Sequence, residues 1–439
     1  MMNLSPLVTD LYQLTMMCAY LNSGKTGEAA FELFVRELPK NRNFLVFLGR
    51  EEILKVVESL RFTPDDIDYL NSLKLFPDWF LDYLKEFEFT GTVYAFKDGE
   101  LFFPYEPVVR VEAPIHQAQL LETLLMNQLH PLVLIASKAA RVVAVSRGKT
   151  VVDFSLRRTH GTDAGLKVAK ASYAVGFAGT SNVLAGKLYS VPVVGTVAHS
   201  FIMAFRSEKE AFRAYLETFP SHSVLIVDTY DPVRGIKRAI EVAKELGVEL
   251  KGVRIDSGDL VELSKLAREI LDREGFRSAK IILSGGLDEY KIDQVLSAGA
   301  PVDAFGVGTK VGTSSDAPYV DFVYKLVEVE GRPIMKTSTG KKMYPGRKQV
   351  YRDYSTWKDR LTLVTESSPG EPLLEKIVIN GSPVISPLSL SRIRERFIEL
   401  FSRVPAPLKN IYTQVNWLPE VSEGVLKLYK QLEEELLGG

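Results

Sequence analysis

Through the middle of the chain, short apolar β-branched runs alternate with amphipathic stretches of helical period, and each apolar run ends on a polar or glycine-rich tip. The runs are VVDFSLRRTHG from Val151, VPVVGTVAHS from Val191, SVLIVDTYD from Ser223, KGVRIDSGD from Lys251, AKIILSGGLD from Ala279 and VDAFGVGTK from Val302. Between them, DPVRGIKRAIEVAKELG carries Pro232 in its first turn and stops at Gly247, as helices do. DLVELSKLAREILDREG sets Leu260, Leu263, Leu266, Ala267 and Ile270 on one face, and DEYKIDQVLSAG follows the same habit. Asp228 and Asp256 stand 28 residues apart, and so do Asp256 and Ser284, which is one strand, one loop and one helix per step. Parallel strands joined by helical crossovers bring their C-terminal tips to one rim. The pattern favours an irregular, incomplete β/α barrel over residues 111–322, with one or two further strands between Val108 and Val145, over a doubly wound sheet, which gives the same alternation of strands and helices.

The flanks lack this beat. Leu7, Leu11, Leu14, Cys18 and Leu21 recur at helical spacing, with Ser5 as the expected N-cap. EAAFELFVREL reads as a strand, GREEILKVVESL as a helix, and TGTVYAFKDGELFFPYEPVVRVEAP as strands with a turn at Asp98-Gly99. APIHQAQLLETLLMNQL reads as a helix leading to the barrel. After Tyr319, FVYKLVEVEGRPIMKTS is a hairpin pattern around Glu330-Gly331, followed by the basic stretch GKKMYPGRKQVYR, a helix near SLSRIRERFIELFSRV and a charged C-terminal helix. Residues 1–110 and 323–439 are expected to pack together as a second, α+β sandwich domain.

Composition narrows the function. The chain has 54 basic and 55 acidic residues, without the basic excess of a nucleic-acid surface. A single cysteine, Cys18, excludes a disulfide framework and a cysteine-based zinc site, and is expected in the core. The start, MMNLSPLVTD, lacks the basic and apolar regions of a signal peptide, and no apolar run approaches the roughly 20 residues that cross a bilayer. A cytoplasmic protein without membrane contact is expected.

The strand tips carry the candidate chemistry. Arg157 and Arg158 can grip a phosphate in bidentate fashion, though a solvated loop uses the same residues. His199, followed by Ser200, can act as acid, base, nucleophile or ligand, or be structural. Strand alternation points Arg254 and Asp256 the same way. Asp259 stands at a helix start, where capping competes with a ribose or magnesium role. The glycine tips LSGGLD and FGVGTKVGTS offer backbone donors to phosphate. FGVGTKVG is not a dinucleotide fingerprint, since its third glycine comes one position late, and GKT at Gly24 and at Gly148 lacks the upstream glycine of a Walker loop. The five histidines show no metal-binding spacing, so no metal cage built by the protein is expected.

Together, TDLYQLTM, DFSLRRTHGTDAG, GTSNVLAGKL, VPVVGTVAHSF, DTYDPVRG, VRIDSGDL, SGGLDE and FGVGTKVGTSSDAP resemble nicotinate phosphoribosyltransferase over most of the chain. The resemblance implies an irregular β/α barrel with a domain made by both chain ends, working as a homodimer. It implies that nicotinate is joined to 5-phosphoribosyl 1-pyrophosphate (PRPP), with ATP hydrolysis coupled through a phosphohistidine at His199 and ATP using the PRPP pocket. It implies that Arg157 or Arg158, Arg254 and Ser200 hold pyrophosphate, that Asp256 and Asp259 lie near the ribose, and that Ser284, Gly285, Gly286, Gly308 and Thr309 take the 5′-phosphate. Tyr12 would stack on the pyridine of a substrate in the neighbouring subunit, with Phe154 opposite and Thr180 and Ser181 nearby. Nicotinamide-specific relatives carry an aspartate where Ser181 stands, so the acid is the expected substrate. The competing readings are quinolinate or nicotinamide phosphoribosyltransferase, a silent phosphosugar-binding barrel, and a lyase using Lys310.

Overall fold

The computed structural model describes residues 4–337 and 342–437. The chain divides into two compact units, Lys138–Pro318 and the combination of residues 1–137 with 319–439. The boundary falls inside the helix Leu121–Val145, and the second unit draws on both ends of the chain.

The two-ended unit is built on an antiparallel sheet in which Glu28–Val35 lies between Phe322–Val329 and Val109–Pro114, with Thr92–Ala95 and Glu375–Ile379 further along. Glu28–Val35 is buried at every residue after the first, so both faces of this strand are covered, and its run of Ala, Phe, Leu and Val is continuous rather than alternating. The predicted hairpin forms, with Glu330 and Gly331 both at positive φ, as a tight two-residue turn requires. The Asp98-Gly99 turn forms too, but its flanking strands part. Thr92–Ala95 joins the large sheet and Glu100–Phe102 pairs with Leu45–Phe47. Asp98 is instead used as an acceptor, its Oδ1 taking the N–H groups of Gly49 and Arg50 at the start of the helix Arg50–Glu58. The first helix starts at Leu11 with Asp10 as its cap residue, and Ser5 closes a separate turn onto Leu7. Cys18 is half-buried against the core. The first two residues of the basic stretch, Gly340 and Lys341, lie outside the described residues.

In the other unit, six parallel strands are found among the described residues. They are β1 (Thr150–Asp153), β2 (Gly179–Thr180), β3 (Val224–Ile226), β4 (Gly252–Ile255), β5 (Lys280–Leu283) and β6 (Ala304–Val307), in the spatial order β2-β1-β6-β5-β4-β3. The sheet is a curled half-barrel, open between β2 and β3. The 28-residue beat is visible as register: Val224 pairs with Gly252, and Gly252 with Lys280. Asp228, Asp256 and Ser284, each four residues further on, therefore come side by side. Crossover helices pack as their spacing predicts. Pro232–Leu246 buries Ile236, Ala239, Ile240 and Ala243, and a Cβ on its Gly235 would sit 2.0 Å from the Val227 carbonyl oxygen. The helix Leu260–Arg273 fully buries Leu260, Ala267, Ile270 and Leu271, while Leu263 and Leu266 are only half-buried.

Three expectations change. The segment from Val191 is not a regular strand; it makes one isolated bridge, Thr180 to Val193, and the edge strand is Gly179–Thr180 instead. Pro192 has no N–H to offer a ladder, which limits pairing there. No barrel strand lies between Val108 and Val145 among the described residues, because Val109–Pro114 belongs to the antiparallel sheet and the rest is helical. One helical run, Ile115–Val145, is after all long and apolar enough to cross a bilayer, but 72% of its apolar window is buried within the protein. Core burial accounts for that composition. Near its end the helix carries Lys138 and Arg141, both paired with buried Glu289.

Candidate active site

The segments after β2, β3, β4 and β5 form a hydrogen-bonded circuit around a histidine. Asp228, beyond β3, accepts the backbone N–H of Asp256 (2.8 Å) and the hydroxyl of Ser257 (2.7 Å) on the same oxygen, Oδ2. Asp256, beyond β4, accepts the Ser284 hydroxyl (2.5 Å) from the loop after β5 and lies 3.4 Å from Nη2 of Arg254. The other guanidinium tip, Nη1, donates to the Thr196 hydroxyl, three residues before His199. His199 Nδ1 lies 3.1 Å from the hydroxyl of Thr229, next to Asp228. His199 is half-exposed and sits in the first turn of the short helix His199–Met203, with Ser200 exposed beside it.

Two atoms of this circuit are buried and, among the described residues, unpartnered: Arg254 Nε and Asp228 Oδ1. Burial pulls the Arg254 guanidinium below its ordinary basicity, with the carboxylates of Asp256 and Asp228 opposing and Arg157 adding to the fall. A desolvated cation beside a second arginine is a site prepared for an anion. Arg254 also stands over the ring of Phe154, 5.9 Å from its centroid, and that ring packs so closely on Gly306 that a Cβ there would come within 2.4 Å of it.

Asp153, at the tip of β1, is almost fully buried, and desolvation raises its pKa. Its Oδ1 accepts the Ser155 N–H and its Oδ2 the Thr180 hydroxyl (2.7 Å), so it fixes the loop carrying Arg157 and Arg158 against that carrying Ser181. Arg157 and Arg158 occupy an exposed single turn, and Arg158 Nη1 donates to Thr309 Oγ1 at 3.2 Å. Gly285 is obligatory: its φ is +87°, and a Cβ would lie 1.8 Å from the Asp256 carbonyl oxygen. Gly286 is exposed at φ +65° with open space around it, and Gly308 begins the turn that carries Thr309.

The structure thus brings together His199, Arg254, Asp256, Ser284 and Phe154, and ties Arg158 to Thr309. Asp259 is committed to capping: its Oδ1 accepts the N–H groups of Val261 and Glu262. Asp259→Ala should lower stability by about 1 kcal/mol. It should leave KM for a phosphosugar substrate within roughly threefold, under half of the 1.36 kcal/mol that a tenfold change represents. A thermal melt and steady-state kinetics check both. Tyr12 belongs to the two-ended unit; its side chain is exposed, its hydroxyl donates to Glu122 Oε2 at 3.2 Å, and partial burial with the Glu122 charge pushes its pKa up to about 12. Sequence reasoning gave no role to Asp153, Thr196, Asp228, Thr229 or Ser257. For Asp228 the signal was present, since it starts the 28-residue beat.

The sequence model described as the nicotinate phosphoribosyltransferase (NAPRTase) N-terminal domain matches residues 7–130, and that of the NAPRTase family matches residues 150–365. A nicotinate phosphoribosyltransferase of Mycobacterium tuberculosis is 48% identical over 380 residues, covering 85% of this chain and 82% of the relative. Its counterpart in Bacillus subtilis is 44% identical over 354 residues, 78% of this chain and 72% of the relative. The crystal structure of human nicotinic acid phosphoribosyltransferase superposes with a TM-score of 0.85 at 27% identity, covering 97% of this chain and 99% of that one.

Proposed function

From the premise that this chain belongs to the nicotinate phosphoribosyltransferase family, we propose that it joins nicotinate to PRPP, giving nicotinate mononucleotide and pyrophosphate in NAD salvage, with ATP hydrolysis coupled through phosphorylation of His199. The observation that carries this reading is the circuit linking His199, Thr229, Asp256, Arg254 and Thr196 across three strand tips. It sets an imidazole and a desolvated guanidinium in one polar rim.

The nitrogen lone pair of nicotinate attacks C1 of the ribose. The new N–C bond forms as the C–O bond to pyrophosphate breaks, and the electron pair leaves with pyrophosphate. No proton moves at the reacting atoms, so positioning and fixed charge carry the catalysis. In this reading Arg254, with Arg157, Arg158 and Ser200, holds the departing pyrophosphate. Asp256 orients the ribose from a carboxylate already aligned by Ser284. Ser284, Gly285, Gly286, Gly308 and Thr309 receive the 5′-phosphate on hydroxyl and backbone donors. Phe154 is the wall for the pyridine ring, with Thr180 and Ser181 at its edge and Tyr12 contributed by a second copy in a cytoplasmic homodimer. A magnesium ion would be held through the pyrophosphate that Arg254, Arg157 and Arg158 grip, where it would neutralise charge, since no cluster of three or more His, Cys, Asp or Glu side chains able to hold a metal is found among the described residues.

The test is an assay of nicotinate, nicotinamide and quinolinate with PRPP, with and without ATP. Turnover of nicotinate far above the other two, stimulated by ATP, is expected; preference for either of the others overturns the reading. Ser181 sets the choice between acid and amide. Its N–H is used by the Asp153 carbonyl, which leaves a small hydroxyl at the ring edge. Ser181→Asp should lower the nicotinate to nicotinamide ratio of kcat/KM by about tenfold or more, since like charges desolvated together cost 1–3 kcal/mol or above. An unchanged ratio would remove Ser181 from specificity.

A further inference from the structure

The two glycine loops are joined by an ion pair that no role above uses. Lys310, directly after Thr309, places Nζ 2.6 Å from Oδ2 of Asp288, directly after the Ser284–Leu287 loop. The Asp288 side chain is largely buried, 15% exposed, and its other oxygen, Oδ1, accepts the Lys291 N–H as the cap of the helix Glu289–Ser297. That helix start is anchored from beneath: Glu289 is fully buried, with Lys138 Nζ at 2.6 Å on one oxygen and Arg141 Nε at 2.9 Å on the other. Lys138 also reaches Asp316 at 2.7 Å. One carboxylate therefore fixes the loop after β5 through its cap and the loop after β6 through its lysine. Without Lys310, a nearly buried negative charge would stand at the root of the two loops to which the proposed reading assigns the 5′-phosphate.

Resting on the proposed reading of those loops as the 5′-phosphate site, we propose that Asp288 and Lys310 are positioning residues for the phosphate end of the substrate. Lys310 acts through Asp288, cancelling its charge and holding the two loops at one spacing, and is not itself a phosphate ligand. This also accounts for a lysine at a strand tip without a Schiff-base reaction, because the ammonium is engaged by a carboxylate.

The pair can be separated from a direct phosphate contact because Asn caps a helix as well as Asp does. Asp288→Asn removes the charge and keeps the cap. Ribose 5-phosphate and pyrophosphate are the probes, with binding measured by calorimetry on the full chain. Lys310→Met should weaken ribose 5-phosphate about tenfold, the size of a coupling between neighbours in one network. Pyrophosphate should stay within about twofold. The double variant Asp288→Asn/Lys310→Met should recover ribose 5-phosphate binding to within about threefold of wild type, because the uncompensated charge is gone. If the double variant binds no better than Lys310→Met, Lys310 is a direct ligand and the proposal fails. Equal loss of pyrophosphate would also overturn it, by showing a general disruption of the rim. The probes need no turnover. A wild-type chain that binds ribose 5-phosphate but forms no nicotinate mononucleotide would therefore sink the reaction while leaving the pair tested.

Discussion

Arg254→Gln is expected to lower kcat/KM for PRPP by about 10²–10³-fold, the loss that follows removal of one preorganised donor at developing negative charge. The magnitude rests on what already holds this side chain. Nη1 is spent on Thr196 and Nη2 stands near Asp256, so the guanidinium is aimed before any substrate arrives. Its Nε is buried with no partner among the described residues, and burial has already depressed its pKa. That desolvation is unfavourable in the free protein and is relieved when an anion binds, which is the arrangement that favours a departing pyrophosphate over water. Gln keeps an amide donor near the position of Nε but loses the reach, the charge and the fork of the guanidinium. A second readout separates charge from folding. Pyrophosphate at about 100 times its Kd should stabilise the wild-type protein by about 2.7 kcal/mol, and Arg254→Gln at the same concentration should gain little. A variant that keeps both its kcat/KM and its pyrophosphate stabilisation would remove Arg254 from the anion site.

How far the site was legible depended on whether its geometry was local. The 28-residue step survives as strand register, so Asp256 and Ser284 could be placed beside one another from spacing alone. Arg254 and Asp256 share a face because strand alternation is a period of two. Contacts running across the rim were not legible. Thr196 sits in a segment whose apolar run suggested a strand but which makes only one bridge, so its reach to Arg254 follows from tertiary placement. Thr229 follows a strand end where any polar residue would read as loop. Asp259 shows the opposite case: a carboxylate at a helix start was equally readable as ligand or cap, and its bonds to Val261 and Glu262 are those of a cap. The partner of Asp98-Gly99 could not be read either, since a turn dipeptide fixes a reversal and not which sheets its two arms will join.

The helix Ile115–Val145 makes the same point for burial. Sequence hydropathy alone does not separate a bilayer from a protein core; here 72% of the apolar window is buried within the protein, and Lys138 and Arg141 near the helix end pair with a carboxylate carried on a crossover helix. Charges placed in this way anchor the start of the helix Glu289–Ser297, and with it the glycine loop that precedes that helix.

His199→Asn should abolish the ATP effect while sparing the ATP-independent reaction. His199 Nδ1 is the nitrogen engaged by Thr229, which leaves Nε2 as the other candidate for chemistry. In the proposed reading, the tautomer that donates Nδ1–H to Thr229 Oγ1 leaves Nε2 with its lone pair, and Nε2 would attack the γ-phosphorus of ATP, forming the N–P bond as the bond to the β–γ bridging oxygen breaks and ADP leaves. By analogy with other phosphorylated side chains, the phosphoryl group would add about −1.5 to −2 charge. Arg254 is tied to Thr196, three residues before this ring, so added charge here can redraw the arginine's contacts. Coupling of 1–3 kcal/mol between such sites corresponds to about 5–150-fold in PRPP affinity. The expected result is a ratio of rates with and without ATP that falls to about one in His199→Asn, with the wild-type ratio inside that range. Acid-labile, base-stable label from γ-labelled ATP should disappear with it. Thr229→Val should keep the label but slow its appearance, because the ring loses the hydrogen bond that holds it in place. Label and stimulation both persisting in His199→Asn would move the phosphorylation to another residue and leave this imidazole as a structural member of the rim.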